Sequence, residues 1–304
     1  RENCYRKDHL IHIGIDGYDE ELFNWVTNQI DNGDDNLMVS AGKNGIAAIY
    51  NDLAIKLPTE FIVIYHADMI AGKDMDLYLY KQWKKGTIVS ATRVEPPLHP
   101  ADPSKIVDDF GLWPEEDVDR GFQKEKWNSF VEHNLDNDKL TKGVFAPWLI
   151  HKEDYWAVGG HDETLNSHSE DRDLFNRFLL NGFDFIQPWN AMVYHLTCRG
   201  GQFEHATTTE ELSKRSDDWN KLAITNTSKF IKKWGTVPIY DQYQYPIVVP
   251  KYDIGLRVIN GYQQIYNVFE PYFKNIVLSE NFQLTNDIII EFDANLLTND
   301  NVQF

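Results

Sequence analysis

Five consecutive apolar or aromatic residues, Phe61 to Tyr65, stand between the polar stretches Pro58-Thr59-Glu60 and His66-Ala67-Asp68. The run is too short for a helix and rich in β-branched side chains. It predicts a buried strand of a parallel sheet. Residues 10–15 predict an earlier strand ending at Asp16-Gly17, and 19–30 a helix with Leu22, Phe23, Val26 and Ile30 at helical spacing. Leu37-Met38-Val39 predicts a second strand, and Ile46 to Leu57 a helix closed by Pro58. This alternation demands right-handed crossovers and an α/β fold with a mostly parallel sheet flanked by helices. Ligands of such sheets bind beyond the carboxyl ends of the strands. Asp68 stands at one of those ends. A carboxylate there can hold a divalent cation that carries a diphosphate, or it can cap the next turn.

Further along, 74–85 predicts a helix and 87–92 a strand. Residues 93–121 carry five prolines and many charges. They predict a long ordered loop with a short helix at 103–109, and loops of that length are usually functional. A helix is expected over 122–135, an aromatic-rich strand over 143–150, a short helix over 154–158 and an amphipathic helix over 169–181. Short strands follow at 183–187 and 191–194, then a helix over 208–234. Composition shifts near 235 towards Tyr, Asn and Ile, which divides the chain into 1–235 and a small C-terminal α/β unit, 236–304, with strands at 246–249, 254–259 and 287–292 and a helix near 261–272. No chemical motif marks that unit.

The net charge of −18 argues against nucleic acid and against an anionic membrane as partners. An anionic substrate must therefore be met locally, by a metal or by a few Arg and Lys. Cys4 and Cys198 are the two cysteines. They read as reduced thiols of a cytoplasmic protein. No apolar run approaches the roughly 18 residues of a membrane span.

Three constellations carry chemistry. The first is Asp68. The second is Gly159-Gly160-His161-Asp162-Glu163 followed by Ser169-Glu170-Asp171-Arg172-Asp173, with Arg177 beyond. Ser169 can cap a helix whose first turn holds Glu170 and Asp171, or that helix start can aim a carboxylate into a cleft as a general base. The third is His195 at the end of a strand, at the same sheet edge as Asp68 and able to ligate a metal. The rings of Phe145, Trp148, Tyr155 and Trp156 can stack on a sugar, but core is the commoner fate of such residues.

The order of these features resembles family 2 glycosyltransferases with the GT-A (Rossmann-like) fold. It does so over about residues 8–205. The wording His-Ala-Asp-Met, Phe-Ala-Pro-Trp and Tyr-His-Leu-Thr-Cys-Arg-Gly-Gly looks like glycosyltransferase-like proteins of large marine tailed bacteriophages. The resemblance implies an inverting, hexosyltransferase-like enzyme that moves a sugar from a nucleotide-diphosphate donor to a hydroxyl of a glycan or other acceptor, assisted by Mn²⁺ or Mg²⁺. It places the metal on Asp68 and His195 and the nucleobase at Asp16. Lys43 and Asn44 lie near the nucleotide and Arg199 near the leaving diphosphate. Asp171 becomes the base, and Glu170 a hydrogen-bonding partner of a sugar. His66 stands where the family has the first Asp of its metal motif. The first family strand is expected to be absent from the chain, with poor independent stability as the consequence. A non-catalytic carbohydrate-binding or virion protein and a nucleotidyltransferase are the alternatives, since a fold does not settle a function.

Overall fold

A computed structural model describes residues 2–30, 35–40, 44–197, 208, 210–211, 217–251, 254–261, 265–273, 275–284 and 289–293. The chain divides into two compact units, one of residues 1–221 with 240–246 and one of 222–239 with 247–304. Both are mixed α/β.

In the first unit β1 (His12–Ile15), α1 (Glu20–Gln29), β2 (Asn36–Val39), α2 (Ile46–Lys56) and β3 (Phe61–Ile64) alternate. They are followed by β4 (Met69–Ala71), α3 (Met75–Gln82), β5 (Thr87–Ser90), β6 (Thr92–Glu95), β7 (Lys105–Val107), α4 (Lys124–Asn134) and β8 (Leu140–Thr141). Then come β9 (Trp148–His151), α5 (Lys152–Ala157), α6 (Glu170–Leu180), β10 (Asp184–Pro188), β11 (Met192–His195) and α7 (Asp217–Trp234), whose larger part belongs to the second unit.

Three sheets result, ordered β1-β2, β3-β9-β5-β10-β8 and β4-β11-β6-β7. The β1-β2, β5-β10, β6-β11 and β6-β7 pairs are parallel. The Phe61 run forms β3 as its pattern requires, but its neighbour is β9, which runs antiparallel and pairs Ile64 with Trp148. Ile62 and Ile64 are buried while Val63 on the other face is exposed, so the run is half-buried and not buried on both faces, and a local pattern carries no information on the direction of the strand alongside.

Local chemistry explains several element ends. Asp19 caps α1 by accepting the Leu22 N–H at 2.8 Å. At α2 the cap is tertiary. Gly45 sits at φ 86°. Asp16 Oδ1 accepts the N–H groups of Asn44 at 2.7 Å and Gly45 at 3.2 Å, and the Ser167 hydroxyl accepts that of Ile46. Ser169 does not cap α6 as expected: it lies at φ 67°, and its hydroxyl meets His168 Nδ1 at 2.9 Å.

One core joins β3, β9, β5 and β10 to α3, α5 and α6 through Ile62, Ile64, Leu79, Val89, Ile150, Tyr155, Leu174 and Phe178. A second joins β6 and β11 to α4 through Val94, Trp127, Val131 and Tyr194. The 93–121 loop is pinned to the second core, because Tyr194 Oη accepts the Phe110 N–H and donates to the Gly111 carbonyl. Residues 105–107 are not helical: they add β7 to the edge of β6, where Lys105 reaches the carboxylate of Glu95. The strand expected from Gly143 begins only at Trp148, after Pro147, which has no N–H for a ladder.

In the second unit β12 (Gly255–Gly261) lies between β13 (Asn275–Leu284), parallel, and β14 (Ile289–Asp293), antiparallel. Helix α8 (Ile265–Phe269) lies between β12 and β13 in the chain. Leu256 and Val258 are buried with Phe269, Phe273 and Ile276 packed against them. Residues 247–249 form no strand; Pro246 makes a single bridge to Tyr240 in the first unit. The prolines at 246 and 250 withhold ladder donors there. Of the helix expected over 208–234, residues 208, 210 and 211 are not α-helical, and α7 starts at Asp217.

Candidate functional site

The register of the four-stranded sheet builds the site. In β4-β11, His195 pairs with Met69, and the Leu196 N–H donates to the Asp68 carbonyl. In β11-β6, Tyr194 pairs with Val94. Asp68, His195 and Glu95 therefore come from three neighbouring strands at one sheet end. His195 Nε2 faces Asp68 Oδ2 at 3.3 Å, and Nδ1 donates to Glu95 Oε1 at 2.7 Å.

Glu95 is 2% exposed. It also takes Arg93 Nη1 and Lys105 Nζ, each at 2.8 Å. Burial opposes ionisation of Glu95, but the charges of Arg93, His195 and Lys105 outweigh it and hold its pKa far below the ordinary value. Burial likewise opposes charge on Asp68 and on His195, yet their mutual contact, with Glu95 on the far side of His195, lowers the first and raises the second.

These groups open into a cavity of about 270 Å³ in the first unit. Its wall includes Tyr50, His66, Asp68, Arg93, Phe145, Trp148, His161, Glu170, Asp171 and His195. Glu170 and Asp171 are the first residues of α6, where a helix N-terminus favours negative charge. Burial and then the Asp171 charge push the Glu170 carboxyl up to about 8. His66 is pushed down to about 4 by burial and stacks on Tyr50 with ring centroids 6.2 Å apart. Arg93 and Arg172 both lie over the Phe145 ring, at 4.3 and 4.8 Å, and Arg172 is held by Gln244 and Tyr240.

The helix is locked to the Gly-Gly loop by Arg177. Its Nε donates to the fully buried Asp173 at 2.8 Å, and Nη1 donates to the carbonyls of Val158 and Gly160. Gly160 lies at φ 64°, and a Cβ there would come within 2.5 Å of Asn51 Oδ1.

Of the residues expected from sequence, Asp68, Glu170, Asp171 and His195 meet at this cavity. Asp16 and Asn44 meet each other at the start of α2 and are not in its wall. Lys43 and Arg199 lie outside the described residues. The aromatic cluster splits: Trp148 and Tyr155 are buried, while Phe145 and Trp148 both line the cavity. Sequence reasoning missed Glu95 and Arg93, and it named His161 within the Gly159–Glu163 stretch without giving it a role of its own. Arg93 and Glu95 are two apart on a strand and so share a face, a charged pair inside an apolar segment that was a usable signal.

An imidazole with a carboxylate on one nitrogen and a second carboxylate facing the other is the arrangement typical of metal-ligating histidines. Asp68 and His195 are the residues that could hold a divalent cation there, with Nε2 giving up the hydrogen it shares with Asp68. The one group of three or more His, Cys, Asp and Glu ligand atoms within 4.8 Å of one another among the described residues is Cys4, His9 and Asp76, which is not in the cavity wall. Among the described residues no helix is long and apolar enough to cross a membrane.

No protein-family profile and no curated protein sequence matches the chain. Among solved structures it is similar to the crystal structure of GalNAc-T7 with UDP, GalNAc and Mn²⁺, at 13% identity and a TM-score of 0.47, over 77% of this chain and 42% of that one. The chain thus spans less than half the length of that structure.

Proposed function

We infer that the first unit is a glycosyltransferase that moves a sugar from a nucleotide-diphosphate donor to a hydroxyl acceptor with inversion. The observation that carries this reading is the convergence of Asp68, Glu170, Asp171 and His195, from three separated stretches, on one cavity. Asp68 and His195 would hold Mn²⁺ or Mg²⁺, and Glu95 keeps the imidazole turned towards that position. A divalent cation there supplies charge stabilisation for a departing diphosphate. Asp171 takes the proton from the acceptor hydroxyl as its oxygen bonds to the anomeric carbon and the bond to the diphosphate oxygen breaks. A single displacement needs one such base, and it inverts the anomeric centre. Glu170, protonated at neutral pH, donates a hydrogen bond to a sugar oxygen. Asp16 and Asn44 are assigned to the nucleoside, with Lys43 and Arg199 as cationic partners of the phosphates.

The second reading is a carbohydrate-binding protein without turnover, favoured by the neutral His66 in the wall beside Asp68. A panel of nucleotide sugars assayed for nucleotide release and for transfer separates the two. Turnover by the native chain, cut about a hundredfold or more in Asp171→Asn, is expected from loss of a general base. Undiminished transfer would remove Asp171 from that role, and sugar binding without turnover would favour the second reading.

A further inference from the structure

Two buried polar atoms in the cavity's residues have no partner among the described residues: Glu170 Oε2 and His161 Nε2. His161 is 3% exposed. Buried polar atoms left without a partner call for an explanation, an ordered water or a bound ligand group among them.

The hydrogen bonds around His161 fix which kind of orphan it is. Asn51 Nδ2 donates to the His161 carbonyl at 2.9 Å and to Glu163 Oε1 at 2.8 Å, so the amide can stand only one way round. Asn51 Oδ1 is then an acceptor, and Tyr155 Oη, 2.6 Å away, must spend its single proton on it. Tyr155 Oη also lies 2.7 Å from His161 Nδ1. With its proton committed, the phenol oxygen can only accept, so Nδ1 carries the hydrogen. The remaining nitrogen, Nε2, is a bare lone pair. Burial, helped by the nearby Arg177 charge, depresses the imidazole to about 3, which keeps it neutral.

We propose that His161 is a specificity-determining residue of the cavity, its Nε2 accepting a hydrogen bond from a hydroxyl of the bound sugar. A bare lone pair among the rings of Tyr50, Trp148 and Tyr155 selects a ligand group that donates. An ether or a carbonyl at the same place leaves two acceptors facing each other. Glu170, whose carboxyl is protonated at neutral pH, supplies a donor in the same cavity, so the two side chains together suit a polyhydroxylated ring. The proposal rests on the transferase reading for its ligand class.

The tautomer is tested first on the native chain, without ligand. Long-range proton–nitrogen NMR of histidine-labelled protein, with the His161 signals assigned by their loss in His161→Phe, is expected to show a proton on Nδ1 and none on Nε2. A proton on Nε2 would overturn the proposal. Calorimetry with Mn²⁺ then compares UDP, UDP-glucose, UDP-galactose, UDP-N-acetylglucosamine, GDP and GDP-mannose on the native chain and His161→Phe. The best-bound nucleotide sugar is expected to lose about 10- to 100-fold in affinity, as for a site left with an unpaired partner, while its parent nucleotide changes less than about twofold. Equal losses for nucleotide and sugar, or no loss for either, would overturn the role of His161 and leave the transferase reading standing. Failure of every nucleotide to bind the native chain would overturn the transferase reading and the proposal with it.

Discussion

Position 170 shows how a single buried proton couples the site to stability. The unfolded chain releases that proton near 4.5 and the folded chain at about 8, so between those values the folded state binds more protons. Stability therefore falls as pH rises through the window, by roughly 3 kcal/mol at neutral pH. Glu170→Gln removes the titration and keeps the shape. Its melting temperature is expected to exceed that of the native chain by a margin that is small near pH 5 and grows towards pH 8. A margin independent of pH would contradict the buried, protonated Glu170. His66 and His161, depressed to about 4 and about 3, act with the opposite sign: their contribution is lost as pH falls below the ordinary imidazole value. That loss is common to both proteins and cancels in the comparison. His195 and the Glu170-Asp171 pair were legible from sequence because they end a strand and begin a helix, and Asp68 because it stands in the short polar turn that follows the Phe61 run, just before β4. Glu95 and the part played by His161 were not, since their roles come from partners 100 and 110 positions away in the chain.

At the scale of elements, α6 and the Gly159-Gly160 loop act as one piece through Arg177. Removing the guanidinium takes a charged partner from the Asp173 carboxylate, which is 0% exposed, and a donor from two carbonyls. Arg177→Ala is expected to cost about 3–5 kcal/mol in urea unfolding. The double variant Asp173→Ala/Arg177→Ala is expected to recover part of that loss, because the buried carboxylate is removed together with its guanidinium. A double variant as unstable as the sum of the singles would show that the pair does not act as a unit. The run of elements in the first unit was readable from periodicity, and α2 and α6 fall close to their expected spans. Strand direction and the short strands β4, β7 and β8 were not readable. They exist only through pairing with distant segments, as Lys105–Val107 does on β6. The Ser169 cap failed because residues 167 and 169 both take left-handed φ and the Ser169 hydroxyl turns to His168 Nδ1 instead of the helix N–H groups.

Across the whole molecule the dominant quantity is the charge of −18. Such an excess destabilises a compact chain through self-repulsion. Raising ionic strength from about 0.01 to about 0.15 M shortens the screening length from about 30 to about 8 Å. The melting temperature is expected to rise by roughly 2 °C or more; a fall would mean that attractive surface pairs outweigh the repulsion. The same acidity leaves a diphosphate dependent on a bound cation together with the few cationic side chains assigned to it. That dependence is the central claim, and calorimetric titration of UDP with and without Mn²⁺, on the native chain and on Asp68→Ala, tests it most directly. The account predicts UDP binding that requires Mn²⁺ and weakens about tenfold or more in the variant. UDP affinity unchanged by both the metal and the substitution would contradict it.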